Sequence, residues 1–179
     1  MRVRSSSFDA VAGRGARVLI LGTLPGAMSL ARQQYYAQPR NAFWRIMGEL
    51  AGAHPELPYE QRLRRLVSAG LALWDVCGSA HRPGSLDASI DVSSVQPNDI
   101  GGLLTTHRRI ELIAFNGGTA ATLFRRLVAR ELPASVAAIP RVTLPSTSPA
   151  HAARSYAEKQ AAWRDALAPV LGSPRPVPR

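Results

Sequence analysis

Four short apolar runs punctuate the chain: "RVLIL" at 17–21, "LALWDV" at 71–76, "IELIAF" at 110–115 and "PRVTL" at 140–144. Each has the length of a strand and falls short of a self-burying helix. Between and after them, apolar residues recur at helical spacing. Phe43, Ile46, Met47 and Leu50 share a face of "NAFWRIMGELAG", as Leu63, Leu66 and Val67 do in "YEQRLRRLVSAG". Leu123, Leu127 and Val128 line up in "GGTAATLFRRLVARE", and Tyr156, Ala157, Trp163 and Leu167 in "AARSYAEKQAAWRDALAPVL". Strands that are apolar throughout need cover on both faces, and the intervening helices supply it. The pattern predicts an α/β fold with a parallel sheet.

Such sheets bind ligands beyond the carboxyl ends of their strands. The loops at that edge read "GTLPG", "CGSAHRPGSLDASID", "NGG" and "PSTSPAH". The first continues to Trp44 and spends two tyrosines, a proline, an arginine and an asparagine on the way. A plain connection needs none of these, and loops on a rigid scaffold are where sites are built.

At 179 residues, 46% hydrophobic and 19% charged, the chain suits one globular domain. Residues 13–171 are expected to form it, with 1–12 a weakly ordered lead-in and 172–179 a Pro-rich tail. No apolar run approaches a membrane span. Cys77 is the only cysteine, so no intramolecular disulfide is possible, and a cytoplasmic monomer is expected. The net charge of +10 suits a polyanion, because phosphates attract cationic surfaces and binding releases counterions. Lys159 is the only lysine, however, and such an arginine excess also fits codon bias. On that reading Arg62, Arg64, Arg65, Arg125 and Arg126 are solvated helix faces.

Familiar chemistries fail. "GTLPG" lacks the Lys-Ser/Thr ending of a P-loop, and no Gly-x-Gly-x-x-Gly follows a strand. His54, His81, His107 and His151 lack metal-ligand spacing, so no metal or other cofactor is expected. Cys77 with His81 suggests a thiol and its base, but a cysteine following a buried strand serves as a small core residue. Asn41 sits before a helical pattern and so reads as a cap. It also lies on the loop begun by Gly-x-x-Pro-Gly, while Asn116 follows another strand directly. Two amides at strand ends, with Tyr35 and Tyr36 nearby, suit a planar heterocycle.

The segments "GTLPG" at 22–26, "QYYAQPRNAFW" at 34–44 and "LPSTSPA" at 144–150 resemble the uracil-DNA glycosylase superfamily, and within it the hypoxanthine-DNA (deoxyinosine) glycosylase family. "LWDVCGSAHRPGSLDASI" and "FNGGTA" fit the same pattern, so the similarity runs from about Arg17 to Trp163. The resemblance implies a three-layer α/β/α sandwich with a four-stranded parallel sheet, acting on a base flipped out of DNA. Asn41 and Asn116 would be catalytic. Gly22, Thr23, Leu24, Pro25, Gly26, Tyr36 and Phe43 would form the base site, with Tyr36 as the stacking ring. Arg40, Ser146, Thr147, Ser148 and His151 would contact DNA. In two places the chain departs from the pattern: Thr23 and Leu24 stand where classical uracil enzymes carry a water-activating aspartate, and His151 replaces an expected asparagine.

The implied activity is monofunctional excision of deaminated bases from DNA, hypoxanthine first among them. Lys159, in a helical pattern expected to lie far from the motif loops, would supply no Schiff base. A uracil-preferring mismatch glycosylase, a non-catalytic binder of damaged DNA, and a nucleotide-binding α/β module remain the alternatives.

Overall fold

The computed structural model describes residues 4–172. Four strands pair in parallel in the order β3 (Leu71–Asp75), β2 (Val18–Gly22), β6 (Leu112–Asn116), β7 (Arg141–Leu144). All of β2 is buried. Its side chains alternate between two cores, as the pleat dictates. Leu19 and Leu21 join Ala72, Ile113 and Phe115 on one face, while Val18 and Ile20 join Leu71, Leu73, Ala114 and Leu144 on the other.

Helices cover both faces. Phe43, Ile46 and Met47 of α2 (Phe43–Ala51), Leu66 of α3 (Tyr59–Ser68), and Trp163 and Leu167 of α7 (Tyr156–Leu171) fill one side. Ile100 and Leu104 of α4 (Ile100–Thr106), Leu123 and Phe124 of α5 (Gly118–Leu127), and Val136 of α6 (Ala134–Ala137) fill the other. The result is the expected three-layer sandwich. A short helix, α1 (Ala27–Arg32), interrupts the long loop after β2.

A second sheet was not legible in the sequence. β1 (Arg4–Ser6) pairs antiparallel with β4 (Cys77–His81), which pairs with β5 (Gln96–Pro97). Val11 also exchanges backbone hydrogen bonds with Leu73 at 2.9 and 2.8 Å. The expectation of a weakly ordered lead-in is therefore corrected: residues 4–12 are docked on the domain. Three residues with one buried side chain carry no readable period, so this strand depends on its tertiary partner. The Pro-rich tail from 173 onward lies outside the described residues. No helix among the described residues is long and apolar enough to cross a membrane.

Candidate active site

The parallel strands deliver Gly22, Asp75, Asn116 and Leu144 to one edge. The Gly22–Gly26 loop is held there through its carbonyls. Gly22 O accepts from Val76 N at 2.9 Å and Thr23 O from Cys77 N at 3.1 Å. The Arg82 guanidinium donates to Leu24 O at 3.1 Å and to Pro25 O. Thr23 Oγ1 donates to Asp87 Oδ2 at 2.8 Å, and Arg82 lies 3.6 Å from Asp87. Arg82 is 4% exposed, a buried cation tolerated because it is paired. Sequence reasoning passed over Asp75, Arg82 and Asp87. The available signal was charge inside the small and apolar stretch that follows β3.

Asp75 is buried at the end of β3, its Oδ2 accepting from Ser7 Oγ at 2.9 Å. Burial, with a smaller push from Asp87, raises its carboxyl to about 7 against the pull of Ser7 and Arg82. Burial also raises Asp87. A raised carboxyl means that the folded protein keeps a proton which the unfolded chain loses near pH ~3.9. Stability should therefore fall as pH rises from about 4 through about 7. Melting midpoints across that interval are expected to decline in the wild type and to decline less in Asp75→Asn.

Tyr36 adopts a left-handed backbone, φ +53°, which is uncommon for a bulky residue and recurs at functional positions. Neighbouring bonds hold it: Tyr35 N donates to the Tyr59 hydroxyl at 3.0 Å, and Ala37 N to Ser29 Oγ at 3.1 Å. Its ring stacks on Phe43 at 4.1 Å and 26°. Phe43 is fully buried, edge-on to Trp44 and Trp163. Phe43 thus backs the Tyr36 ring, which corrects its expected place in contact with a base. The Tyr36 hydroxyl is buried without a hydrogen-bond partner among the described residues, with Asp75 and Asn116 as polar neighbours. An unmet buried hydroxyl costs about 1–3 kcal/mol.

Asn41 Oδ1 accepts from Phe43 N at 3.0 Å, two residues on; the N-cap position of α2 is Ala42, so the expected cap is instead a side-chain turn leading into the helix. The residue is half-buried, and its oxygen keeps a second lone pair. Asn116 is buried and forms a reciprocal pair with Thr147: its Nδ2 donates to Thr147 Oγ1, and its Oδ1 accepts from Thr147 N, both at 2.9 Å. Thr147 O accepts from Ala42 N at 3.0 Å. Thr147 therefore links the end of β6, the loop after β7 and the Asn41 turn. At 1% exposure it cannot be the DNA contact expected of it, and its role is internal.

Around it, Ser146 and Ser148 are half-buried, as is His151, whose N donates to Ser148 O at 3.1 Å. Arg40 is exposed. Ser146 packs on Gly117, whose φ of +98° strains any other residue and where a Cβ would lie only 3.1 Å from Ser146 Cβ.

Lys159 is not far from the motif loops. It sits in the first turns of α7, which packs back along β7, and its Nζ donates to Ser148 O at 3.1 Å. Burial lowers its pKa. The amine is committed to holding the loop. Cys77 is buried and its thiol is pushed up to about 12, which leaves no thiolate for nucleophilic work. Among the described residues no group of three or more His, Cys, Asp or Glu could hold a metal ion.

These loops at one sheet edge bring a backbone cradle, an aromatic ring and two amides together. The model of the uracil DNA glycosylase superfamily matches residues 8–171. The chain belongs to that superfamily. It is 39% identical over 114 residues to a hypoxanthine DNA glycosylase of Methanosarcina acetivorans, covering 63% of this chain and 71% of that one. It is 33% identical over 116 residues to the corresponding protein of Methanosarcina barkeri, covering 64% and 72%. The solution NMR structure of a Methanosarcina acetivorans protein, provisionally described as a uracil DNA glycosylase, superposes with a TM-score of 0.70 at 33% identity. That match covers 91% of this chain and 98% of the other. The enzyme is thus a DNA glycosylase, and its substrate is DNA.

Proposed function

We propose that this glycosylase is monofunctional and releases hypoxanthine from deoxyinosine, leaving an abasic site in base excision repair. The observation that carries the reading is the Asn41 turn: a half-buried amide with a spare lone pair, fixed beside the Tyr36–Phe43 stack and stitched through Ala42 to Thr147. The two relatives named for hypoxanthine support the choice of base.

In this mechanism the flipped base stacks on the face of Tyr36 that Phe43 does not cover. The bond from C1′ to N9 breaks with its electron pair going to the base, and the sugar takes on oxocarbenium character. Asn41 Oδ1 orients a water toward C1′. An amide is a weak base, so its contribution is position. Asn116 has one amide hydrogen beyond that given to Thr147, and the Gly22–Gly26 loop has N–H groups on peptides whose carbonyls point inward. These donors stabilise charge on the departing base. O6 of hypoxanthine accepts a hydrogen bond where adenine presents an amino group, so a donor there selects against the normal base. A mispaired base also flips at lower cost. Lys159, bound to Ser148 O, is not placed as a nucleophile, so water adds its oxygen to C1′ and the proton it releases neutralises the departing base. Arg40, Ser148 and His151 meet the DNA backbone.

A panel of labelled duplexes containing inosine, uracil, xanthosine or normal bases tests the reading. Free hypoxanthine and an abasic site are expected from the inosine duplex, and preference for uracil would favour the mismatch-glycosylase alternative. Tyr36→Ala should weaken binding to the inosine duplex by roughly 1–3 kcal/mol, the scale of one base stack. Tyr36→Phe keeps the ring and should bind more nearly as the wild type does. Equal loss of binding in both variants would contradict stacking.

A further inference from the structure

Asp75 takes no part in the hydrolysis outlined above, yet it meets the stacking ring over one residue. A Cβ on Gly22 would lie 2.6 Å from Asp75 Oδ1 and 2.7 Å from the Tyr36 hydroxyl. The bare Cα of Gly22 therefore keeps open a small space that both groups face. One carboxylate oxygen is already taken by Ser7, and Oδ1 is the one turned to Gly22. The phenol is buried and makes no hydrogen bond of good geometry among the described residues, with the Asn116 amide as its other polar neighbour, and its ring stacks on Phe43. An acceptor and a phenol whose own proton has no acceptor thus face a space too small for a methyl group, with the Asn116 amide on the phenol's other side.

Resting on the reading of this edge as the base pocket, we propose that Asp75 is a positioning residue for base excision. Its Oδ1 accepts a hydrogen bond from the Tyr36 hydroxyl, across Gly22, when a flipped base presses on the ring. The bond is made with the base in place, so it favours the bound geometry over the free one. Because a charged acceptor makes the stronger bond, ionised Asp75 holds the ring better than neutral Asp75. Burial places that ionisation near neutrality. The groups facing Asp75 are Ser7, Tyr35, Tyr36, Cys77, Arg82 and Asp87. Of these, Ser7 assists its ionisation through its hydrogen bond, Asp87 opposes it and Arg82 assists it.

The test is the pH profile of single-turnover hypoxanthine release for wild type, Asp75→Asn, Tyr36→Phe and the double variant. Carbon-13 NMR of the tyrosine Cζ atoms in the free protein accompanies it. The wild-type rate should rise several-fold between about pH 6 and about pH 8. Each single variant should lose that rise and stay near the low-pH wild-type rate, and the double variant should be no slower than the worse single one. In the free protein the Tyr36 Cζ signal should titrate near neutrality in the wild type, through the field of the neighbouring Asp75 carboxylate, and not in Asp75→Asn. A Tyr36→Phe enzyme with the wild-type profile overturns the proposal, whether or not Asp75→Asn folds. So does a Tyr36 signal that is flat across neutral pH. The NMR measurement needs no substrate, so absence of hypoxanthine release would refute the proposed function while the Asp75–Tyr36 link is still judged.

Discussion

Asn41→Ala is expected to fold, to bind inosine-containing DNA, and to release hypoxanthine at least ~100-fold more slowly than the wild type, the scale for loss of a positioning group. Two separable effects lie behind that number. The first is local stability: removing Oδ1 strips Phe43 N of its acceptor at the start of α2, a loss of about 1 kcal/mol. The second is chemical, because without the amide no side chain at that turn holds a water against C1′. Phe43 and Trp44 anchor the helix in the core and the Tyr36–Phe43 stack does not involve Asn41, so lesion binding should survive. Thermal melting, duplex binding and single-turnover release, measured side by side, separate the turn-forming role of Asn41 from its catalytic one.

The second large effect is expected at the buried pair between Asn116 and Thr147. Thr147→Val keeps the shape of the side chain and removes Oγ1, so Asn116 Nδ2 loses its acceptor where the amide is 7% exposed. A stability loss of about 1–3 kcal/mol follows from stranding a buried donor. Excision should slow by ~10- to ~100-fold, because Asn116 can then rotate away from the departing base. Asn116→Ala strands the Thr147 amide instead. The two changes act on the same bonds, so the double variant should cost less than the sum of the singles. Strict additivity in both melting and rate would mean that the pair does not work as a unit.

The parallel sheet was legible because a strand buried on both faces is apolar at every position. "RVLIL" and "LALWDV" are such runs, and the observed strands start and stop within two residues of the predicted runs. The loops were legible for the opposite reason, since Tyr36, Asn41 and Asn116 are odd residues to leave at strand ends. Harder to see was whatever depends on long-range pairing. β1 is a strand only because β4 is beside it. Thr147 looked like one more loop hydroxyl, and nothing in "PSTSP" says that it alone turns inward to meet Asn116 and Ala42. Lys159 was misplaced because a helical pattern gives a residue's face but not the direction in which the helix returns. The Asp75–Arg82–Asp87 group escaped because its members share no motif spacing and meet only under the folded Gly22–Gly26 loop.

The most direct test of the central claim compares wild type with Asn41→Ser on an inosine duplex under single-turnover conditions. Serine can still accept a hydrogen bond from the backbone N–H two residues on, so the turn before α2 is kept while the amide is lost. The wild type should liberate free hypoxanthine and leave an abasic site. Asn41→Ser should melt close to the wild type yet release base at least ~100-fold more slowly. Release at the wild-type rate by Asn41→Ser, or no hypoxanthine from the wild type itself, would contradict that claim.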